Sequence, residues 1–165
     1  MKKLRIYLDT SVISHLDAPD VPDKMADTLR LWEDIKAGKY DVVISNITAA
    51  EIDQTSEEKR TYMKSMLASI NSTFVELNRE AERIAGLYSE FGGLPPKCKN
   101  DALHIAIATV QGCNIVLSWN FGHIVNLRAM AAVEAVNIKE GYANIRLLSP
   151  TMILTDDEEV QLHGI

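Results

Sequence analysis

The chain has 165 residues, of which 47% are hydrophobic, and its formal net charge at pH 7 is −6. This length suits one domain with a buried core and is short for two. The negative charge argues against a protein that holds nucleic acid through a broad basic face, because such a face must neutralise many phosphates. Any nucleic-acid chemistry must therefore be local, and the acidic surface suits a basic protein partner.

Neither a membrane segment nor a disulfide framework is indicated. No apolar run approaches the roughly 18 residues that a membrane-spanning helix needs, so we expect a cytoplasmic protein without membrane contact. The two cysteines, Cys98 and Cys113, are too widely spaced for a CxxC motif. We expect both to be free, mostly buried thiols, and the sequence assigns them no chemistry.

Short apolar runs alternate with longer stretches of helical spacing, which is typical of α/β proteins with a parallel sheet. The predicted strands are Leu4 to Leu8, Asp41 to Ser45, Ile115 to Ser118 and Ile145 to Leu148. Between the first two, Met25, Leu29, Trp32 and Ile35 recur at helical spacing. The predicted helix ends before Gly38, which is a typical stop residue.

After the second strand the spacing predicts helices over 47–54, around 62–70 and near 81–88. The segment Gly92-Gly93-Leu94-Pro95-Pro96 is the clearest break. A helix from near Asn100 to about Gln111 is almost wholly apolar, so we expect it at the centre of the fold. The sequence thus predicts one domain over residues 1–150. Residues 151–165, with an acidic run at 156–159, are predicted to form a tail that lies peripherally or contacts a partner.

Three carboxylates, Asp9, Glu51 and Asp101, lie far apart in the sequence, and each is found where an apolar element begins or ends. Each has a structural explanation when taken alone. Asp9 follows a strand and precedes a helix, where either it or Ser11 would make a good N-cap. The segment Thr48-Ala49-Ala50-Glu51 fits a capping box, and Asp101 occupies a first helical turn, where the helix dipole favours an acid.

The combination of the three acids favours a functional site. In an open α/β sheet, ligands bind outside the carboxyl ends of the strands, and Asp9 and the segment with Glu51 both follow strands. Asp101 can join them from the central helix. Three carboxylates held that close repel one another, and a bound cation removes the conflict. Oxygen ligands without paired Cys or His favour Mg²⁺ or Mn²⁺ over zinc.

The four histidines show no ligand spacing of a known metal motif. They are His15, His104, His123 and His163. His104 is a weaker site candidate. It follows Asp101 by three residues on one helical face, so it could contact the metal-binding acids without binding the ion itself. The competing interpretation is a hydrogen-bonded core histidine. No glycine-rich phosphate-binding motif is present.

Three segments together resemble the PIN domain family, many of whose members are VapC-like ribonuclease toxins of toxin-antitoxin pairs. The segments are Tyr7-Leu8-Asp9-Thr10-Ser11-Val12-Ile13, Ala50-Glu51-Ile52 and Asn100-Asp101-Ala102-Leu103-His104-Ile105-Ala106. The resemblance runs from about Leu4 to about Leu148. It implies a single-domain three-layer α/β sandwich with a parallel sheet of about five strands, ordered 3-2-1-4-5 and flanked by helices. It also implies that Asp9, Glu51 and Asp101 are catalytic residues and metal ligands, with Ser11 supporting the first acid.

The main departure from the family pattern is Asn120. A fourth family acid usually follows the fourth strand in a Thr-x-Asp pattern, whereas this chain has Ser118-Trp119-Asn120. An asparagine in this fourth position still offers a carbonyl oxygen, but it removes one negative charge from the cluster. We therefore expect one well-held metal ion and weaker binding of a second.

The resemblance implies a metal-dependent endoribonuclease that is the toxin of a toxin-antitoxin pair. Its implied partners are RNA, a basic antitoxin protein and a second copy of the chain. The alternative, motivated by Asn120, is a catalytically weakened PIN-like module that binds RNA or a protein. A third hypothesis makes Asp9 a phosphoryl-accepting nucleophile, and it ranks last because no lysine follows a strand as in such enzymes.

Overall fold

The computed structural model describes the backbone of residues 2–163 and the side chains of residues 2–156. The described strands are β1 (Leu4–Leu8), β2 (Tyr40–Ser45), β3 (Thr73–Val75), β4 (Ile115–Leu117) and β5 (Arg146–Leu148). The described α-helices are α1 (Thr10–Ser14), α2 (Pro22–Lys36), α3 (Asn46–Asp53), α4 (Glu57–Ala68), α5 (Arg79–Glu90), α6 (Lys99–Val110), α7 (Leu127–Glu140) and α8 (Pro150–His163). Short 3-10 turns cover His15–Asp17 and Pro96–Cys98. The last two residues of the predicted tail, and the acidic side chains after Asp156, lie outside the described part.

All five strands run parallel in the order β3-β2-β1-β4-β5, which confirms the predicted fold class and strand order. The chain builds one half of the sheet as β1, β2 and β3, and then returns to place β4 on the free side of β1. The direction of strand addition therefore reverses between β1 and β4. In sheets of this kind the reversal opens a crevice at the carboxyl edge, where ligands bind.

The third strand is absent from the pattern of predicted strands. β3 has three residues, pairs only with β2 at the sheet edge, and leaves Phe74 exposed. Such a strand has neither the alternation nor the apolar run by which strands are recognised. β3 forms because the chain passes alongside β2 at this point and pairs with it.

Both faces of the sheet are buried, as parallel sheets require. Alternation along β1 sends Tyr7 into one core with residues of α5, α6 and α7, while Ile6 and Leu8 join the opposite core. In α6 every residue of 102–109 is buried, which confirms the expectation that this helix is central.

The segment after β5 begins as a helix whose first turns contribute to the core. Ile153 and Leu154 of α8 are buried in the same cluster as Leu31 and Trp32 of α2. The division between a domain and a tail at residue 150 stays a prediction. In the described part of the chain no helix combines the length and the apolar character needed to cross a bilayer. Both cysteines are free and buried, as expected.

Gly93 provides a test of the packing between the 92–98 segment and α7. A Cβ atom added at Gly93 would lie 2.1 Å from the Cβ of Ala132 and 3.3 Å from the carbonyl oxygen of Arg128. We expect Gly93→Ala to lower the free energy of unfolding by about 1–3 kcal/mol, because the backbone must shift. Urea denaturation measures the loss.

The control is Gly86→Ala in α5, where an added Cβ meets nothing within 4 Å. Alanine there should be neutral or stabilise by up to about 1 kcal/mol through helix propensity. Equal stability of the two variants would contradict the close approach of Gly93 to α7.

Candidate active site

The predicted site residues lie where strands at the centre of the sheet end. Asp9 follows β1, and its backbone N–H donates to the carbonyl oxygen of Leu117 in β4 at 3.0 Å. Glu51 is carried by α3, which follows β2 directly, and Asp101 lies in the first turn of α6. The reversal of strand order between β1 and β4 thus places Asp9 in the crevice.

Asp9 is 4% exposed, and its carboxylate is held by hydroxyl groups. Its Oδ2 accepts hydrogen bonds from Ser11 Oγ and Ser118 Oγ, each at 2.7 Å. Asp9 occupies the N-cap position of α1 by backbone geometry, but its side chain makes no capping hydrogen bond. Because the carboxylate is bound by hydroxyls of two segments, the capping explanation does not account for it. Ser11, predicted to support the first acid, contacts that acid directly.

The capping-box interpretation of Glu51 is wrong. The N-cap of α3 is Ser45, whose Oγ accepts from the N–H groups of Ile47 and Thr48, so Glu51 lies beyond the first turn. Its Oε1 accepts a hydrogen bond from Thr10 Oγ1 at 2.9 Å and contacts His104 Nε2 at 2.5 Å. The Glu51 carboxylate is therefore directed at α1 and α6 instead of at the start of its own helix.

His104 is fully buried and joins the acids to the core. Its Nε2 lies 2.5 Å from Glu51 Oε1 and 3.4 Å from Asp9 Oδ1. Its Nδ1 lies 2.5 Å from the hydroxyl of Tyr7, which in turn lies 2.6 Å from Ser45 Oγ. A continuous run of hydrogen bonds thus connects the N-cap of α3 with the Glu51 carboxylate.

Burial and charge act in opposite directions on the two partners. Burial alone would lower the pKa of His104, but the Glu51 hydrogen bond and the charges of Asp9, Glu51 and Asp101 raise it. Burial would raise the pKa of Glu51, but the hydrogen bond and the charge of His104 lower it. Both shifts favour the charged forms of the pair. Burial also raises the pKa of Tyr7, so its hydroxyl stays protonated.

Asp101 lies beside this group and has a different partner. Its Oδ2 is 3.0 Å from Nδ1 of His123, in the loop after β4. Burial and the charge of Asp9 raise the pKa of Asp101, while the contact with His123 opposes them. Two of the three predicted ligands therefore repel each other across the crevice, as expected for acids collected at one place.

Asn120, the fourth predicted position, is part of the turn that holds His123. The side-chain Oδ1 of Asn120 accepts a hydrogen bond from the backbone N–H of His123 at 3.0 Å. The backbone N–H of Asn120 donates a hydrogen bond to Ser118 Oγ at 2.9 Å. The asparagine carbonyl is thus engaged within the loop. His123 was not singled out from the sequence, because Asn120-x-x-His123 matches no ligand motif. The contact with Asp101 depends on how the loop meets α6.

In the described part of the chain, two groups of side chains have ligand atoms close enough together to hold a metal ion. In the first, which we call the acid cluster, the ligand atoms of Asp9, Glu51 and His104 lie within 4.8 Å of one another. In the second, which we call the thiol cluster, those of Cys98, Asp101 and His123 meet the same limit. The structure thus brings Asp9 and Glu51 together and places Asp101 next to them in the thiol cluster. Ser11 touches the acid cluster through Asp9, while Asn120 touches the thiol cluster through His123.

Comparison with known proteins identifies the fold. No protein-family model matches this sequence, and no curated protein matches it. A solved structure of VapBC2 from Rickettsia felis, bound to a DNA fragment from their promoter, aligns over 88% of this chain and 98% of that chain, with a TM-score of 0.54 and 18% identity. A structure of VapC20 from Mycobacterium tuberculosis, a toxin that cleaves the sarcin-ricin loop, aligns over 72% of this chain and 92% of that chain, with a TM-score of 0.53 and 18% identity. The chain has a PIN-like fold.

This likeness confirms the VapC-like architecture predicted from the three sequence segments. At 18% identity it shows the fold alone, and the roles of individual side chains rest on their geometry in this chain. In the PIN-like fold the acid cluster occupies the crevice between β1 and β4, which is the ligand-binding position of open α/β sheets.

The buried run from Ser45 to Glu51 can be tested through Tyr7. We expect Tyr7→Phe to lower the free energy of unfolding by about 1–3 kcal/mol, because Ser45 Oγ and His104 Nδ1 lose a buried partner. The matched control is Tyr62→Phe, whose hydroxyl makes a longer 3.3 Å contact with the carbonyl oxygen of Leu16. Chemical denaturation should show a smaller loss for the control, and equal losses would argue against a special role for the Tyr7 hydroxyl.

Proposed function

We propose that this protein is a metal-dependent endoribonuclease that hydrolyses RNA phosphodiester bonds. The observation that carries the proposal is the convergence of Asp9 and Glu51 in the crevice between β1 and β4, with Asp101 close enough for the charge of Asp9 to raise its pKa. The likeness in fold to VapC20, described as a toxin that cleaves the sarcin-ricin loop, supports RNA as the substrate.

The two carboxylates of the acid cluster suit a hard divalent cation, and His104 is their hydrogen-bond partner. Asp9 directs Oδ2 to two hydroxyl donors, while Oδ1 faces the same His104 nitrogen as Glu51. Within the described part of the chain, the three acids contact the imidazoles of His104 and His123 and form no ion pair with lysine or arginine. Mg²⁺ or Mn²⁺ prefers oxygen ligands and would relieve the repulsion between Asp9 and Asp101, which adds to the effect of burial on the pKa of Asp101.

When bound, such an ion supplies positive charge that stabilises developing negative charge on phosphoryl oxygens and makes water more acidic. The residues of the chain provide the geometry. Ser11 and Ser118 hold Asp9 in one orientation, and Thr10 and His104 hold Glu51. Because the lowered pKa keeps Glu51 ionised, its carboxylate is available to bind the ion or to orient the attacking water.

Groups suited to single-stranded RNA lie directly beside Asn120. The ring of Phe121 is 45% exposed, and Lys24 Nζ lies 5.4 Å from its centroid. Exposed aromatic rings stack on unpaired bases, and a nearby lysine attracts phosphate. Such a local contact agrees with a chain whose net charge of −6 argues against a broad basic face.

We further propose that the protein acts as the toxin of a toxin-antitoxin pair, with a basic antitoxin protein that covers the acids. The likeness in fold to VapBC2 supports this role, and the net charge of −6 favours a basic partner. Assembly of the chain into a homodimer remains a prediction of the family resemblance.

Asp9→Asn and Asp101→Asn test the activity. Each should reduce Mn²⁺-dependent cleavage of RNA by about 100-fold or more, because it removes charge that binds the ion. Calorimetry should show weakened Mn²⁺ binding in the same variants. The control is Asp53→Asn at the end of α3, where the exposed carboxylate pairs with Lys64 at 2.9 Å. Wild-type cleavage rates in both site variants would refute the assignment.

A second candidate function is a PIN-like module that binds RNA or a protein without cleaving it. The observation in its favour is Asn120, whose carbonyl oxygen is already bonded to the N–H of His123 and which supplies no fourth negative charge. The absence of divalent-ion binding at millimolar concentrations in calorimetry would favour this module over the enzyme.

Asn120→Asp measures how far the asparagine limits the site. We expect tighter Mn²⁺ binding and faster RNA cleavage, because the added carboxylate places a negative charge next to His123, which contacts Asp101. Calorimetry and cleavage rates at several Mn²⁺ concentrations provide the readouts. The aspartate can still accept the N–H of His123, so the loop should be retained. Unchanged affinity and rate would mean that this position lies outside the metal site.

A further inference from the structure

The thiol cluster joins three different ligand types from two separate segments. Cys98 ends the 3-10 turn before α6 and is 3% exposed, and Asp101 follows three residues later in α6. His123 reaches them from the loop between β4 and α7, with a side chain that is 43% exposed. Their ligand atoms lie within 4.8 Å of one another, and the His123 Nδ1 to Asp101 Oδ2 distance is 3.0 Å.

This set of ligands matches the preference of zinc. Zn²⁺ binds thiolate, imidazole and carboxylate groups in tetrahedral sites, whereas Mg²⁺ avoids sulfur. Ligand atoms bound at about 2.0–2.3 Å to a tetrahedral ion lie roughly 3.3–3.8 Å apart. In the thiol cluster the His123 Nδ1 to Asp101 Oδ2 distance is 3.0 Å and no separation of ligand atoms exceeds 4.8 Å, so side-chain shifts of about 1 Å bring the three groups to these values.

The backbone around the three ligands is already fixed. The N–H of Cys98 donates to the carbonyl oxygen of Pro95 at 2.8 Å, which closes the turn that presents the thiol. Asn120 Oδ1 accepts the N–H of His123 at 3.0 Å and thereby holds the loop. The side chain of His123 is 43% exposed, so the cluster adjoins solvent at this residue.

The geometry points to a zinc site made by Cys98, Asp101 and His123, separate from the acid cluster. When the sulfur-zinc bond forms, the Cys98 thiol releases its proton to the solvent. The site shares Asp101 with the proposed nuclease, so a zinc ion bound there keeps this carboxylate in the thiol cluster and prevents it from binding a catalytic ion together with Asp9 and Glu51. Zinc should therefore inhibit Mg²⁺- or Mn²⁺-dependent cleavage. This inhibition rests on the proposed function, whereas zinc binding itself does not.

Titration of the full chain with Co²⁺, a spectroscopic substitute for zinc, tests the site. The wild-type protein should develop thiolate-to-cobalt charge-transfer absorption that saturates at one ion per chain. Cys98→Ser should lose this absorption. The matched control is Cys113→Ser, because Cys113 is the other buried free cysteine and lies outside the thiol cluster. No absorption in the wild type, or equal absorption in Cys98→Ser, overturns the proposal.

His123→Ala provides a second variant at an exposed position, where folding is least affected. It should weaken Co²⁺ and Zn²⁺ binding by at least about tenfold, the lower end of what loss of even a supporting group costs at metal sites. Circular dichroism and thermal unfolding check the fold of each variant. If Cys98→Ser does not fold, unchanged metal affinity in His123→Ala overturns the proposal.

The link to cleavage is measured separately. Zn²⁺ should inhibit RNA cleavage by the wild type and by Cys113→Ser, while Cys98→Ser should need about tenfold more Zn²⁺ for the same inhibition. Equal inhibition of all three proteins overturns the shared role of Asp101. If the wild type does not cleave RNA with Mg²⁺ or Mn²⁺, the proposed function fails, and the cobalt spectrum still decides whether the zinc site exists.

Discussion

The contact between the ends of β1 and β4 is the constraint on which the candidate site depends. The N–H of Asp9 donates to Leu117 at 3.0 Å, and Ser118, one residue later, donates its hydroxyl to Asp9 Oδ2 at 2.7 Å. A carboxylate that is 4% exposed is costly unless its charge is compensated. The return of the chain from β3 to the free side of β1 supplies that compensation, and it also opens the crevice in which the acids meet. The order of the strands therefore determines both where the acids meet and how the buried Asp9 carboxylate is hydrogen-bonded.

His104 extends this arrangement from the sheet edge into the core. It comes from α6, the central helix, and contacts Glu51 on one side and Tyr7 on the other, at 2.5 Å each. Because Tyr7 belongs to β1 and Glu51 to α3, the imidazole of His104 connects α6 with both of these elements. The same contact favours the ionised form of Glu51, since the hydrogen bond and the charge of His104 oppose the effect of burial on its pKa. Both interpretations of His104 raised by the sequence describe part of its environment: it is a hydrogen-bonded core residue, and it touches two predicted ligands.

Local pattern predicted four of the five described strands closely, but it missed α7, although the buried Ala129, Ala132, Val133 and Val136 recur at helical spacing. β1 has the predicted bounds, and β2, β4 and β5 differ from prediction by one residue at one end. β3 was not predicted, because three residues at a sheet edge, with an exposed Phe74, show no hydrophobic periodicity. For Glu51 the local pattern was misleading: Thr48 and Glu51 have capping-box spacing, but Ser45 already caps α3. His123 gave no signal at all, because its contact with Asp101 joins a loop to a helix start and leaves no spacing in the sequence.

By itself, the sequence determined the fold class, the central position of α6 and the location of three acids at the ends of apolar elements. These properties follow from hydrophobic spacing and turn residues, which act over short stretches of chain. Only the tertiary structure decided which acids meet, that His104 lies against Asp9 and Glu51, and that Asp101 shares its surroundings with Cys98 and His123. The physical reason is separation: Tyr7 and His104 are 97 positions apart, and their contact exists only because the crossovers between parallel strands return α6 and β4 to β1. The sequence can predict that a residue lies at the edge of the sheet, but the residues that it contacts there depend on the path of the whole chain.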